Sequence, residues 1–324
     1  MKIEFINHAS VIIDCNGTRI LTDPWYTGSV FNDGWNLIVE NEKNINDLDF
    51  DYLWYSHEHP DHFNVSDLLV MDNARRKSVT ILFQNTKDKK VRDFCLSKGF
   101  NFLELELGRQ YKFGNAKLIC DRVCGLDSWL SVSDGELTVL NLNDCRAEEE
   151  SQIDDILSLV GCVDVLLTQY GSANWTGGKG SSLKEISKKK VFDRLDVQIQ
   201  KIKPKYIVPF ASFCWFSHEE NYFCNLGSVS LFDFNERYFD QNIIDMYLGD
   251  VWEIGEDWNN LQRLLIWEDR IKGLSPIHKT KTINLNDLQV SFSCMIYYIR
   301  EQNIWDEFCK LKIKPAIVHL FDYN

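Results

Sequence analysis

The chain has 324 residues, enough for one large domain or two small ones. Apolar residues make up 44% and aromatics 13%, which supplies a core, while the formal net charge of −13 argues against nucleic acid or an anionic membrane as main partner, since both ask for a basic face. A local basic pocket for an acidic small molecule is compatible with that balance. The ten cysteines are scattered without a C-x-x-C pair, Cys120 and Cys124 being the nearest, and this indicates a reduced, cytoplasmic chain. The N-terminal Met-Lys-Ile-Glu-Phe-Ile starts a strand at once, with no apolar signal core, and no membrane-length apolar run follows.

In chain order, residues 3–22 read as a hairpin turning at Asn16-Gly17. Residues 51–55 form a short aromatic strand. Helices are expected over 64–77 and 86–99, with strands near 80–83 and 101–105. Short strands follow at 110–113, 116–120, 128–133 and 136–142, the last two joined by Ser133-Asp-Gly135. A helix over 147–160 carries Glu148, Glu149 and Glu150 at its positive end. Val163–Thr168, apolar but for Asp164 and Thr168, reads as a strand. Residues 171–182, rich in Gly, Ser and Asn, read as an exposed loop facing a substrate. A long amphipathic helix covers 183–203, and 205–209 is another strand. Strand-rich stretches flanked by helices predict an α/β protein with two sheets covered by helices on both outer faces, αββα. Residues 226–324, with Trp252, Trp258, Trp267 and Trp305, read as an extension packed on a catalytic domain of residues 1–225; a separate small domain is the competing reading.

The chemistry concentrates in residues 54–63. Three of the seven histidines, His57, His59 and His62, fall within six residues, with Asp61 among them. If His57 and His59 leave the end of the aromatic strand they point to one side, and Pro60 turns the chain so that Asp61 and His62 reach the same space. Crowded imidazoles beside a carboxylate begin a two-metal site. The spacing differs from the helical H-E-x-x-H of zincins.

H-x-H-x-D-H resembles the signature of the metallo-β-lactamase superfamily. His8-Ala-Ser10, Thr22-Asp-Pro-Trp25 and Phe31-Asn-Asp-Gly-Trp35 resemble the metallo-β-lactamase part of CMP-N-acetylneuraminate hydroxylases and UlaG-like proteins. Leu140–Cys145 and the stretch from Pro209 to His218 are similar to later ligand segments of the family. The resemblance covers roughly residues 1–225. It implies a four-layer αββα fold with a C-terminal extension and a site for two divalent ions.

The family pattern calls for one more histidine between the first motif and a bridging aspartate, yet residues 63–217 contain none. Asp127 is the expected replacement, with Asp121 as the alternative. Asp144, at the end of an apolar strand, is the expected bridge. The resemblance then implies His57, His59 and Asp127 on one metal, and Asp61, His62 and His218 on the other, with Asp144 shared. Asp61 and Asp144 are also the candidate catalytic carboxylates. His8 is expected at the rim, in contact with substrate or with the ligands, and Asp23 behind them. Trp25, Trp35, Asn174 and Trp175 are candidate pocket walls; His278 and His319 are read as structural.

A carboxylate in place of an imidazole makes the first position harder, favouring iron over zinc, with manganese also compatible. The sialic-acid hydroxylases that the chain resembles are iron enzymes that activate oxygen and carry a Rieske module. This chain starts at the metallo-β-lactamase strands and has no C-x-H plus C-x-x-H pair, so an oxygenase reading requires an electron-donor partner. The expectation is a diiron oxygenase acting on a small polar substrate such as a nucleotide sugar. The alternatives are a hydrolase of esters, lactones, amides or phosphodiesters using a metal-bridging hydroxide, and a metal-bound scaffold without turnover.

Overall fold

A computed structural model describes residues 1–171 and 183–279. The chain opens with β1 (Lys2–Asn7), β2 (Ser10–Cys15) and β3 (Thr18–Thr22), then β4 (Ser29–Val30), β5 (Trp35–Leu37), a 3-10 turn at Ile45–Asp47 and β6 (Tyr52–Tyr55). Helices α1 (Val65–Val70) and α2 (Asn73–Ser78) lead to β7 (Thr80–Gln84), α3 (Lys90–Ser97) and β8 (Asn101–Leu105). Four strands follow: β9 (Gln110–Phe113), β10 (Ala116–Arg122), β11 (Ser128–Ser133) and β12 (Thr138–Asn143). Next come α4 (Glu150–Val160), β13 (Val165–Gln169), α5 (Leu183–Ile202), β14 (Tyr206–Phe210) and β15 (Cys214–Phe216). A 3-10 helix at Tyr222–Gly227, α6 (Leu231–Arg237), β16 (Val251–Glu253) and α7 (Asn260–Lys272) complete the described chain.

Two large sheets form the centre. The first runs β16-β1-β2-β3-β6-β7-β8 and the second β14-β13-β12-β11-β10-β9. Alternation along each strand assigns its two faces. In β6, Trp54 joins Val11, Ile13 and Leu82 in one cluster with Leu130, Val132 and Leu167 of the second sheet, so the sheets face each other. Leu53 and Tyr55 point the other way and pack with Leu68, Val91 and Cys95 of the α1–α3 region. On the far side of the second sheet, Leu140 and Leu166 meet Ile153 and Ile156 of α4. The result is the expected helix–sheet–sheet–helix order.

Several boundaries differ from the sequence reading. The expected 64–77 helix is two helices, because Met71 leaves the helical region and Asp72 starts α2 by accepting the Arg75 amide at 2.8 Å. The 3–22 segment holds three strands. Its second turn, Asn16-Gly17 at φ 52° and 89°, has the double positive φ of a type I′ hairpin. A third small sheet, β15-β5-β4, had no visible strand pattern, being two or three residues per strand.

Residues 1–279 form one compact unit, and the 225/226 boundary falls inside it. β16 pairs antiparallel with β1, and Trp252 and Trp267 are fully buried. Trp305 and His319 lie outside the described residues, as do Asn174, Trp175 and the rest of residues 172–182. Among the described residues no helix is long and apolar enough to cross a membrane.

Candidate metal centre

The first motif follows β6 directly. Its Ser56 carbonyl accepts from Gln84 Nε2 of β7 at 2.9 Å and from Ser128 Oγ of β11 at 2.6 Å, which ties the motif to both sheets. The amides of His62 and Phe63 both donate to the His59 carbonyl, at 3.0 and 2.7 Å. This tight turn after Pro60 folds His62 back beneath His57; their ring centroids are 4.2 Å apart.

Seven side chains converge. His57, His59 and Asp127 bring one donor atom each within 4.8 Å of one another; so do His57, His62 and Asp144, and so do His8, Asp61 and His62. His57 Nε2 lies 2.8 Å from His59 Nδ1 and 3.7 Å from Asp127 Oδ1. His62 Nε2 is 3.5 Å from both Asp61 Oδ2 and Asp144 Oδ2, and His8 Nε2 is 3.8 Å from Asp61 Oδ2. Ligand atoms held about 2.0–2.2 Å from one ion are themselves roughly 3–3.5 Å apart, so these spacings suit cations between the donors. The unsatisfied atoms agree. Both ring nitrogens of His8, His62 Nε2 and Asp61 Oδ1 are buried without a hydrogen-bond partner, a costly state that a bound ion would relieve.

Behind the cluster stands Asp23, fully buried. It accepts from the Ser56 amide at 2.8 Å, Ser56 Oγ at 2.7 Å and His62 Nδ1 at 3.1 Å, and from the Asn143 side-chain amide. Ser56 Oγ in turn lies 2.9 Å from His57 Nδ1. Both imidazoles are thus held by one nitrogen, leaving Nε2 for the centre, as metal-binding histidines usually are. On the other side Gln169 Nε2 donates to Asp144 Oδ1 at 2.8 Å, and Arg194 donates to the Gln169 carbonyl at 2.7 Å. The backbone is bent to deliver these groups. His8, Asp23, Asn143 and Ala211 all have positive φ, at 37°, 32°, 50° and 48°, and strain of this kind concentrates at functional sites.

Within the cluster the charges act on one another. Burial, reinforced by His62, lowers His57 to about 4. Burial also opposes the charge on His62, but Asp61 and Asp144 beside it outweigh that and hold it well above the ordinary histidine range. Burial works against the Asp144 and Asp61 charges too, yet the histidines, His62 foremost, keep both below the usual carboxylate range. Asp127 goes the other way, raised by burial and by the neighbouring Asp144.

The placement differs from the expected ligand set at one position. His218 follows β15, where its Nδ1 accepts the Glu220 amide at 3.2 Å, and it belongs to none of the converging groups. His8, rather than His218, lies beside Asp61 and His62. It sits in the β1–β2 turn, 2% exposed, packed edge-on against Trp25 at 5.4 Å. Sequence order hid this, because a histidine in a two-residue turn resembles any strand-end polar residue. Asp127 is within the cluster, whereas Asp121 lies in β10, paired with Trp129, and takes no part. His278 Nε2 donates to Asn36 Oδ1 at 2.9 Å and its segment bridges His218. Trp35 lines the cavities beside the cluster, while Trp25 is fully buried beneath His8. Ser56, Asn143, Gln169 and Arg194 were not foreseen, because each acts through a contact between elements distant in sequence.

Residues 2–211 match the model of the beta-lactamase superfamily domain. This chain belongs to that family. Among its relatives is a Mycobacterium tuberculosis protein named as a Rieske 2Fe-2S iron-sulfur protein, 29% identical over 193 residues, which are 54% of this chain and 35% of the relative. The Danio rerio cytidine monophosphate-N-acetylneuraminic acid hydroxylase is 22% identical over 236 residues, 67% of this chain and 39% of that one. The chain therefore spans little more than a third of the curated relatives it matches here. Among solved structures, CmlA, a diiron beta-hydroxylase from Streptomyces venezuelae, superposes with a TM-score of 0.54 at 16% identity, over 78% of this chain and 54% of that one. That likeness is one of fold, and the chain shares the metallo-β-lactamase architecture.

Proposed function

We propose that the chain is a dinuclear iron oxygenase that hydroxylates a small polar substrate with electrons from a separate donor protein. Its ligands are His57, His59 and Asp127 for one ion, His8, Asp61 and His62 for the other, and Asp144 between them. The observation that carries the reading is the Asp127 carboxylate beside His57 and His59: a hard oxygen donor where an imidazole would complete a softer set, with no thiolate in any of the three groups. The similarity to a hydroxylase over two thirds of the chain points the same way.

Iron held there would supply the activation of dioxygen. Hydroxylation inserts one oxygen atom into a substrate C–H bond and releases the other as water, and it consumes two electrons and two protons per turnover. The protein's own part is positional. Asp23 and Ser56 fix the imidazole orientations, and Gln169 fixes Asp144. Trp35 and Phe31, in edge-on contact at 4.8 Å, flank the His59 side of the cluster, Phe31 being 6.1 Å from the His59 ring.

The test is rapid mixing of the chemically reduced, iron-loaded chain with oxygen-saturated buffer. A new visible absorption band that forms and decays within the mixing experiment, lost in His57→Ala, is the expected outcome. Steady hydrolysis of a lactone or phosphodiester under strict anaerobiosis, with zinc or manganese sufficing, would instead make the chain a hydrolase.

A further inference from the structure

Two cavities meet at the cluster, and they differ in chemistry. One, of about 450 Å³, is lined by ligand residues together with Arg146, Lys190 and Arg194. The other, of about 180 Å³, reaches His8 and Asp61 and is lined largely by apolar groups such as Ile38, Tyr170, Val229, Leu231 and Leu274. Trp35, Asp61, Gln169 and Gly171 line both, so the cluster lies where a polar arm joins an apolar arm.

The polar arm contains a buried guanidinium without an ion pair among the described residues. Arg194 is 8% exposed, its Nε is buried without a partner, and it has no carboxylate ion pair among the described residues. Its other nitrogens reach only neutral oxygens of Gln169. A guanidinium buried this way is costly until an anion completes it, and its planar fork matches a carboxylate, phosphate or sulfonate. Lys190 precedes it by one turn of α5 on the same face, exposed and without an ion pair among the described residues. Arg146, by contrast, is already paired with Glu148 at 2.6 Å.

The apolar arm extends past the family domain. Val229, Leu231, Ile271 and Leu274 all lie beyond the residues matched to the family domain. They place an apolar surface directly beside a charged cluster. Concave apolar space that opens onto reactive groups is the usual form of a small-molecule site.

We propose that the substrate is an amphiphilic anion, with its acid group on Arg194 and Lys190 and an apolar portion in the cavity between the Tyr222–Gly227 helix and the end of α7. The reacting carbon then lies at the cluster between the two arms. This rests on the reading that the cluster is the reaction centre, and it narrows the substrate class.

Calorimetric titration of the metal-loaded full chain with straight-chain alkanesulfonates, from ethanesulfonate to octanesulfonate, tests it. Sulfonates pair with guanidinium and are weak metal ligands, and 1-alkanols of equal length serve as neutral controls. Affinity should rise roughly fourfold per added methylene until the cavity fills, and alkanols should bind at least tenfold more weakly. Lys190→Ala should weaken sulfonates of every length by one common factor. Leu274→Asp, at the half-buried cavity rim, should flatten the chain-length dependence, weakening octanesulfonate far more than ethanesulfonate. Equal binding of sulfonates and alkanols, or a chain-length dependence that is absent or survives Leu274→Asp, would overturn the proposal. Metal analysis of the same samples reads the ligand assignment independently. Full metal with flat titrations removes only the substrate class, whereas length-dependent sulfonate binding without metal removes only the ligand assignment.

Discussion

Asp23 Oδ2 and His62 Nδ1 meet at 3.1 Å with both side chains fully buried, and this contact leaves His62 Nε2 between Asp61 and Asp144. The same carboxylate holds Ser56, which holds His57. One residue that touches no proposed metal position therefore orients the two innermost imidazoles.

Replacing that carboxylate should be felt at the metal. Asp23→Asn keeps the volume but presents an amide nitrogen to some of its present donors. Metal affinity should fall about 10–100-fold, the usual cost of losing such a partner. Competition against a chromophoric chelator measures it; unchanged affinity in a folded Asp23→Asn variant would show that the Asp23 contacts serve the fold alone.

His8 and His218 make opposite predictions. His8→Ala should release about one metal ion per chain, because Asp61 and His62 lose their third partner. His218→Ala should retain the full complement, since that ring lies with Glu220 and outside the converging groups. Metal analysis of both variants after dialysis decides between the ligand set drawn from geometry and the one implied by family resemblance.

This contrast also marks what the sequence could carry. The clustering of His57, His59, Asp61 and His62 was legible because a run of donor residues at the end of one short strand needs no tertiary information to be read. The convergence of Asp127 and Asp144 on this motif was expected from the strands that deliver them. His8 was read at the rim rather than beside Asp61, since its approach to that carboxylate depends on how the β1–β2 turn stacks over His62 across the fold. Gln169 and Arg194 were invisible, because a hydrogen bond linking β13 to α5 leaves no local pattern. The alternation that builds the two sheets was readable strand by strand. The β16–β1 pairing was not, as a three-residue strand some two hundred and fifty positions away carries almost no periodicity.

Asp127→His tests the hardness argument. Restoring an imidazole should keep metal binding while raising the preference for zinc over iron by about tenfold or more. Paired zinc and iron competition titrations of the parent and variant give the ratio; an unchanged ratio would remove the chemical basis for preferring iron.

Asp245 predicts a pH effect remote from the metal. Its carboxyl is 1% exposed and has one buried oxygen without a partner. Burial raises it to about 7, against an ordinary value of 3.8 and despite a bond from Asn235. The folded chain therefore holds a proton there that the unfolded chain has lost, and stability falls as pH rises from about 4 to about 7. Above that window the penalty is complete, at most about 4 kcal/mol. Asp245→Asn should be near neutral at pH 4 and stabilising at pH 8. Denaturant melts of parent and variant at both pH values check this, and parallel pH profiles would contradict it.

The most direct test of the dinuclear iron centre is the metal content of chain purified under anaerobic conditions, measured by plasma emission alongside its optical spectrum before and after oxygen. About two iron ions per chain, with a spectrum that changes on oxygenation and a loss of both ions in Asp144→Ala, is the predicted result. Zinc as the resident metal, or a single ion per chain that survives Asp144→Ala with no optical response to oxygen, would contradict it.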